Sequence, residues 1–175
     1  GKGASAMPVL EKIMRDYAML RWDEPAARGL AEAHLQNNNP AAAVKVCETL
    51  IAYKPEAAYS GELAVVYWEA LLKAGRTAKL SGLLDEAVKK GDRETSAAAL
   101  LKRGDLLMEK KQPREALKDG YLRVVVLYEN VRSLQPEALY KAALAFDALQ
   151  QHANANKMRT LLRTRYPGSE YAKKL

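Results

Sequence analysis

The chain is poor in the residues from which catalytic and metal centres are usually built. Its 175 residues include a single cysteine, Cys47, and two histidines, His34 and His152. One thiol excludes an intrachain disulfide, and the three residues are too few and too scattered for a zinc site. Nucleophile-elbow and phosphate-cradling glycine patterns are missing. No residue is therefore assigned a catalytic, cofactor-binding or metal-binding role, and the chain reads as a non-enzyme. No apolar run reaches the roughly 18 residues of a membrane span. The opening Gly1-Lys2-Gly3-Ala4-Ser5 has no initiating Met and no signal-type apolar core, which leaves open a leader removed upstream. Aromatics are only 7% of the chain, and its 49% hydrophobic content is mostly alanine and leucine.

What is present favours helix. Ala, Leu, Lys, Glu and Arg are good helix formers, and glycines and prolines fall mostly between periodic segments, as punctuation. Residues 27–55, ARGLAEAHLQNNNPAAAVKVCETLIAYKP, read as two helices joined by Asn37-Asn38-Asn39-Pro40. The first carries Leu30-Ala31 and His34; the second carries Ala43, Cys47 and Leu50, with Pro55 closing. Small residues stand twelve positions apart, with a proline twelve further on. Antiparallel helices approach to about 8–10 Å where their contact side chains are short.

This spacing resembles the tetratricopeptide repeat family, and the resemblance extends over nearly the whole chain. A second hairpin over 55–91 turns at Ala74-Gly75-Arg76, with Trp68 and Leu80 in the two small-residue slots, so its helices should splay. A third over 92–131 pairs Gly104 with Ala116 about a turn at Lys111-Gln112-Pro113, and runs to about Asn130. Gly120 stands in it where the family usually has an aromatic, which marks a weak spot or a close contact. A fourth over 136–167 carries Leu139, Ala142-Ala143, Phe146, Ala155 and Leu162. The anchors Ala43, Leu80, Ala116 and Ala155 recur at intervals of 37, 36 and 39. A first helix over 8–20, capped by Ser5 with Pro8 in its first turn, has the stripe Val9, Ile13, Tyr17 and Leu20. A partial helix begins at Ser169, and its Tyr171 and Leu175 should pack back on the last hairpin. The expectation is one all-α domain over 1–175: an α-solenoid of about four hairpins stacked in a right-handed superhelix, with the end segments as caps.

The resemblance implies a protein-interaction scaffold that binds a partner segment along the first helices of the hairpins. Carried over in register, the groove would be lined by Arg28, Glu32 and Leu35, then Val65, Glu69 and Leu72. Leu101, Asp105 and Met108 follow, and then Tyr140, Leu144 and Asp147. Glu32, Glu69 and Asp105 share one slot, so a row of acids would suit a partner segment alternating apolar with Lys/Arg residues. The closing run Tyr166-Pro167-Gly168-Ser169-Glu170-Tyr171-Ala172 is similar to a junction in bacterial envelope repeat proteins of the outer-membrane assembly and Tol-Pal coordinator types. It implies a periplasmic or envelope setting, with the cytoplasm as the alternative.

Charge offers a second reading. The net +7 comes from residues 101–175, which hold 15 Lys+Arg against 8 Asp+Glu, whereas residues 1–100 balance at 13 each. That excess is either a solvated basic face or a surface for nucleic acid or another polyanion. Arg159, Arg163, Arg165 and Tyr166 come nearest to a stacking platform. Tyr121, Tyr128 and Phe146 instead fall at packing positions, which disfavours nucleic acid. His34 is expected in the core with a hydrogen bond, His152 in a solvated turn, and Cys47 as an inert buried thiol.

Overall fold

The computed structural model describes residues 2–16 and 23–175. Among these residues nine helices follow one another and no strand occurs. They are α1 (Lys2–Asp16), α2 (Asp23–Gln36), α3 (Pro40–Ile51), α4 (Gly61–Lys73), α5 (Thr77–Lys90), α6 (Arg93–Glu109), a composite α7, α8 (Gln135–Ala148) and α9 (His152–Arg165). The composite helix is α-helical over Pro113–Ala116, π-helical over Leu117–Tyr121 and α-helical again over Leu122–Leu127. Short 3-10 turns occupy Pro55–Ala58 and Ala172–Lys174. The helices divide between two compact units, Gly1–Thr95 and Ser96–Leu175, with the boundary in the first turn of α6. The fold is all-α, built of consecutive helical hairpins.

Each hairpin turn is the same piece of backbone. One residue sits at positive φ: Asn38 at 55°, Gly75 at 70°, Lys111 at 58° and Gln150 at 59°. The N–H of the next residue reaches back five positions: Asn39 to His34, Arg76 to Leu71, Gln112 to Leu107 and Gln151 to Phe146, all at 2.9 Å. This is a Schellman cap, which satisfies carbonyls left open at a helix end. The same four residues then begin the second helices. Their carbonyls accept from Ala43, Leu80, Ala116 and Ala155 at 3.0–3.2 Å. The recurrence of these anchors therefore has a backbone cause. Each lies five residues after the left-handed residue and is the first fully bonded position of its helix.

All four anchors are fully buried. In the first unit Ala43 and Leu80 join Leu50, Leu63, Tyr67, Trp68, Leu71 and Leu84, also closed to solvent; burying a leucine side chain contributes about 1.5–3 kcal/mol. Trp68 satisfies its indole by donating to the Ala58 carbonyl at 2.9 Å. With Trp68 and Leu80 in the small-residue slots, α4 and α5 touch far more sparsely than α2 and α3 do. The second unit contains a crossing in which the two backbones nearly touch. A Cβ on Gly120 would lie 2.7 Å from the Gly104 Cα, and one on Gly104 only 2.3 Å from the Tyr121 ring. Backbone contact thus falls at Gly104 and Gly120, beyond the expected pair of Gly104 and Ala116. The π-turn makes room by adding one residue to the helix.

Several boundaries differ from expectation. α1 starts at Lys2, so Ser5 and Pro8 lie inside it and neither opens it. Pro8 forfeits one ladder bond there. Val9 is 61% exposed, and the half-buried stripe is Met7, Leu10, Ile13 and Met14, with Leu10 against Gly29; Tyr17 and Leu20 lie outside the described residues. The helix expected from Pro55 is a 3-10 turn, and α4 begins at Gly61, whose φ of +82° breaks the path. α7 ends at Leu127, short of Asn130. At the far end Ser169 starts no helix, although its hydroxyl accepts from the Ala172 N–H at 3.1 Å.

Candidate partner-binding faces

In the first unit the expected lining comes from α2 and α4. Val65 is 37% exposed, Leu35 is half-buried, and Leu72 is buried. The charges are already matched. Arg28 pairs with Glu62 across the two helices and with Glu32 on its own helix at 3.7 Å. Glu69 pairs with Lys73 at 3.3 Å. Beside Arg28 lies a polar cleft of about 260 Å³ bounded by Glu24, Lys54, Glu62 and Leu63. Behind it Asp23 is buried and accepts from Lys54 at 2.7 Å, the Glu24 N–H at 2.7 Å and the Tyr53 hydroxyl at 3.3 Å. Burial alone would push the Asp23 carboxyl up; these three donors outweigh it and hold it below the usual range.

In the second unit the lining comes from α6 and α8. Leu144 is 43% exposed, Met108 and Tyr140 are half-buried, and Leu101 is buried. Asp105 is the hub of a network. It accepts from Lys141 at 2.8 Å and the Tyr121 hydroxyl at 2.9 Å, with Lys102 at 3.4 Å. Lys141 also holds Glu137 at 2.6 Å. Burial would lower the Lys141 ammonium, but Asp105 and Glu137 outweigh it and hold it above its ordinary value. Burial first, and then the Asp105 charge, drive the Tyr121 phenol far up. Tyr121, Glu137 and Lys141 were missed by pattern reasoning. The available signal was register, since Lys141 stands 36 positions after Asp105, one repeat on. Asp147 is held by Arg159 and lies 3.4 Å from His152.

The three acids of the shared slot, Glu32, Glu69 and Asp105, are each bound to a neighbouring cation. Their like-charge repulsion is thereby relieved within each unit. The closing segment folds back: the Tyr171 ring lies tilted against Tyr140 with centroids 5.7 Å apart, and the Arg163 guanidinium donates to the Leu175 oxygen at 3.4 Å.

The remaining expected features separate. His34 is half-buried, and its imidazole has no hydrogen-bond partner among the described residues. It lines a pocket of about 410 Å³ with Met14, Leu30, Val46 and Tyr53, because it sits at the edge of the α2 stripe and not in the core. His152 is exposed as expected, but it is the first residue of α9. Cys47 is fully buried, and burial pushes its thiol up to about 12. Of the basic platform residues, Arg159 is bound to Asp147, and Arg165 forms an exposed pair with Glu129 at 2.9 Å. No group of described His, Cys, Asp and Glu residues could hold a metal ion, and no described helix is long and apolar enough to cross a membrane.

No curated protein sequence matches the chain. Residues 137–169, which run from the first turn of α8 past the end of α9, match the tetratricopeptide repeat family.

Proposed function

We propose that the chain is a non-catalytic protein-interaction scaffold that captures a partner segment on the first helices of its hairpins. Tetratricopeptide repeats generally mediate contacts between proteins, and the match over 137–169 carries that general role. The observation that supports the location is the solvent exposure of Val65 on α4 and Leu144 on α8, amid charges that are already neutralised locally. Singly exposed aliphatics are common, but these two both belong to the carried-over lining, one in each unit. Apolar anchoring by the partner contributes more than its lysines and arginines, because those must compete with Arg28, Lys73 and Lys141 for the same carboxylates. The envelope setting rests on residues 166–172 alone.

A photo-crosslinking amino acid placed at 65 or 144 tests this directly. Crosslinks in extract of the source cell should form from these positions and be competed away by excess native chain, but not by chain carrying both Val65→Asp and Leu144→Asp. Equal crosslinking from Ser81, on the exposed side of α5, would refute the assignment. Replacing Asp105 is unsuited to the purpose, since it takes one acceptor each from Tyr121, Lys102 and Lys141 and so perturbs the fold.

A further inference from the structure

α7 presents a second surface, on the side opposite its buried residues. Ala116, Leu117, Gly120, Tyr121 and Val124 are buried, whereas Arg114, Lys118, Val126 and Leu127 are exposed, with Leu122 and Arg123 half-exposed. In an uninterrupted α-helix Val126 would stand about 120° round from Arg114, at about 100° per residue. The π-turn over Leu117–Tyr121 absorbs one extra residue and turns the later part back by about 100°. Arg114, Lys118, Leu122 and Val126 thereby fall on one ridge, cationic at its start and aliphatic at its end. Twelve residues at about 1.5 Å each give it a length of about 18 Å.

Of the eight acids in the second unit, Asp105, Glu129, Glu137, Asp147 and Glu170 are each held by a cation elsewhere. Arg114, Lys118 and Arg123 form no ion pair with any described carboxylate. Glu115 and Asp119 stand on the same helix beside these cations and leave the stretch from Arg114 to Arg123 with a net positive charge. Val126, at 69% exposed, is the most open large hydrophobic residue among the described residues, and the neighbouring Leu127 is 52% exposed.

We propose that this ridge docks an acidic amphipathic protein segment of about three helical turns, carboxylates against Arg114 and Lys118 and aliphatic side chains against Val126 and Leu127. Charge complementarity selects the acidic half, and the aliphatic end selects a protein over a nucleic acid. The ridge holds no aromatic ring on which a base could stack, and Val126 and Leu127 offer nothing to a phosphate. The surface lies on the second helix of its hairpin and is separate from the first-helix faces above.

The probe is a fluorescein-labelled helical peptide of about 16 residues, glutamate-rich in one half and leucine-rich in the other. It is made in both directions, beside a scrambled peptide of the same composition and a single-stranded oligonucleotide. Anisotropy titrations at low and high salt should show one peptide binding, more weakly at high salt. Arg114→Glu with Lys118→Glu, and separately Val126→Ser with Leu127→Ser, should each weaken it about tenfold or more, with helicity unchanged. Val65→Asp and Leu144→Asp should leave it untouched, which keeps this result independent of the first-helix proposal. Absence of saturable peptide binding at low salt would overturn the proposal. Equal binding of the scrambled peptide or the oligonucleotide would also overturn it, by exposing a general polyanion surface.

Discussion

Replacing Gly104 with alanine sets two known effects against each other in one residue. Inside a helix the change is ordinarily favourable, by about 1 kcal/mol, through backbone propensity. Here the new methyl would stand 2.3 Å from Tyr121 Cε1, 2.6 Å from Cδ1 and 2.7 Å from Cζ. The ring cannot simply swing clear, because Tyr121 is 2% exposed and its hydroxyl is anchored 2.9 Å from Asp105. Overpacking costs about 1–3 kcal/mol, and breaking a hydrogen bond to a charged group about 1.5–3 kcal/mol more. Gly104→Ala should therefore lose between about 1.5 and 5 kcal/mol net. Urea unfolding followed by far-UV circular dichroism should show a midpoint lower by about 1 M or more. Combined with Tyr121→Leu, which removes the ring that the methyl strikes, the further cost of Gly104→Ala should largely vanish. Gly82→Ala in α5, where nothing lies within 4 Å of the new Cβ, should instead gain up to about 1 kcal/mol. A neutral or stabilising Gly104→Ala would show that the two helices do not cross at these glycines.

Two further outcomes follow from other parts of the chain. Lys111 and Gln150 hold left-handed conformations at φ of 58° and 59°, a strain of about 1–2 kcal/mol for a residue with a Cβ. After the entropy that glycine adds to the unfolded chain, Lys111→Gly and Gln150→Gly should each stabilise by about 0.5–1 kcal/mol; a loss of thermal stability in both would refute the cap geometry. Asp23 has its carboxyl held low by Lys54, the Glu24 N–H and Tyr53 against the opposing effect of burial, and Glu48 is held low chiefly by Lys79. A depressed carboxyl stabilises the fold above its unfolded pKa, about 3.9–4.3, and that stability is lost as pH falls through the lower folded value. The urea midpoint of Asp23→Asn, measured between neutral pH and pH about 3, should fall less steeply than that of the native chain; parallel curves would refute the assignment.

The hairpins were legible because their spacing is fixed by backbone geometry that few residues can supply. Proline at 40 and 113, glycine at 75 and asparagine at 38 are the visible marks of left-handed caps and helix starts. Small residues at 43, 116 and 155 mark the first bonded position that follows. The α1 stripe was misjudged because Ile13 belongs equally to a stripe through Val9 and to one through Leu10; only Gly29, remote in sequence, decides between them. The π-turn was invisible because its one extra residue is signalled by nothing local, and Gly120 matters only through its contact with Gly104. For the partner-binding face, the register could name Glu32, Glu69 and Asp105 as one slot. It could not show that Arg28, Lys73 and Lys141 already answer them, since side-chain pairing across helices depends on reach and rotamer and not on repeat period.

The burial of Cys47 gives the first unit a built-in clock. With one thiol in the chain, any reagent that modifies cysteine reports on a single point, midway along α3. Closed to solvent and held protonated, with burial pushing its thiol up to about 12, it is doubly protected while α3 stays packed, because only an exposed thiolate attacks. Labelling therefore requires that helix to open, and where reclosing outpaces labelling its rate is set by the fraction of time spent open. The rate in native buffer, compared with that of the unfolded chain, converts to the free energy of the opening. The same measurement repeated with a bound partner would show, without any added probe, whether capture tightens the first unit or leaves it as it was.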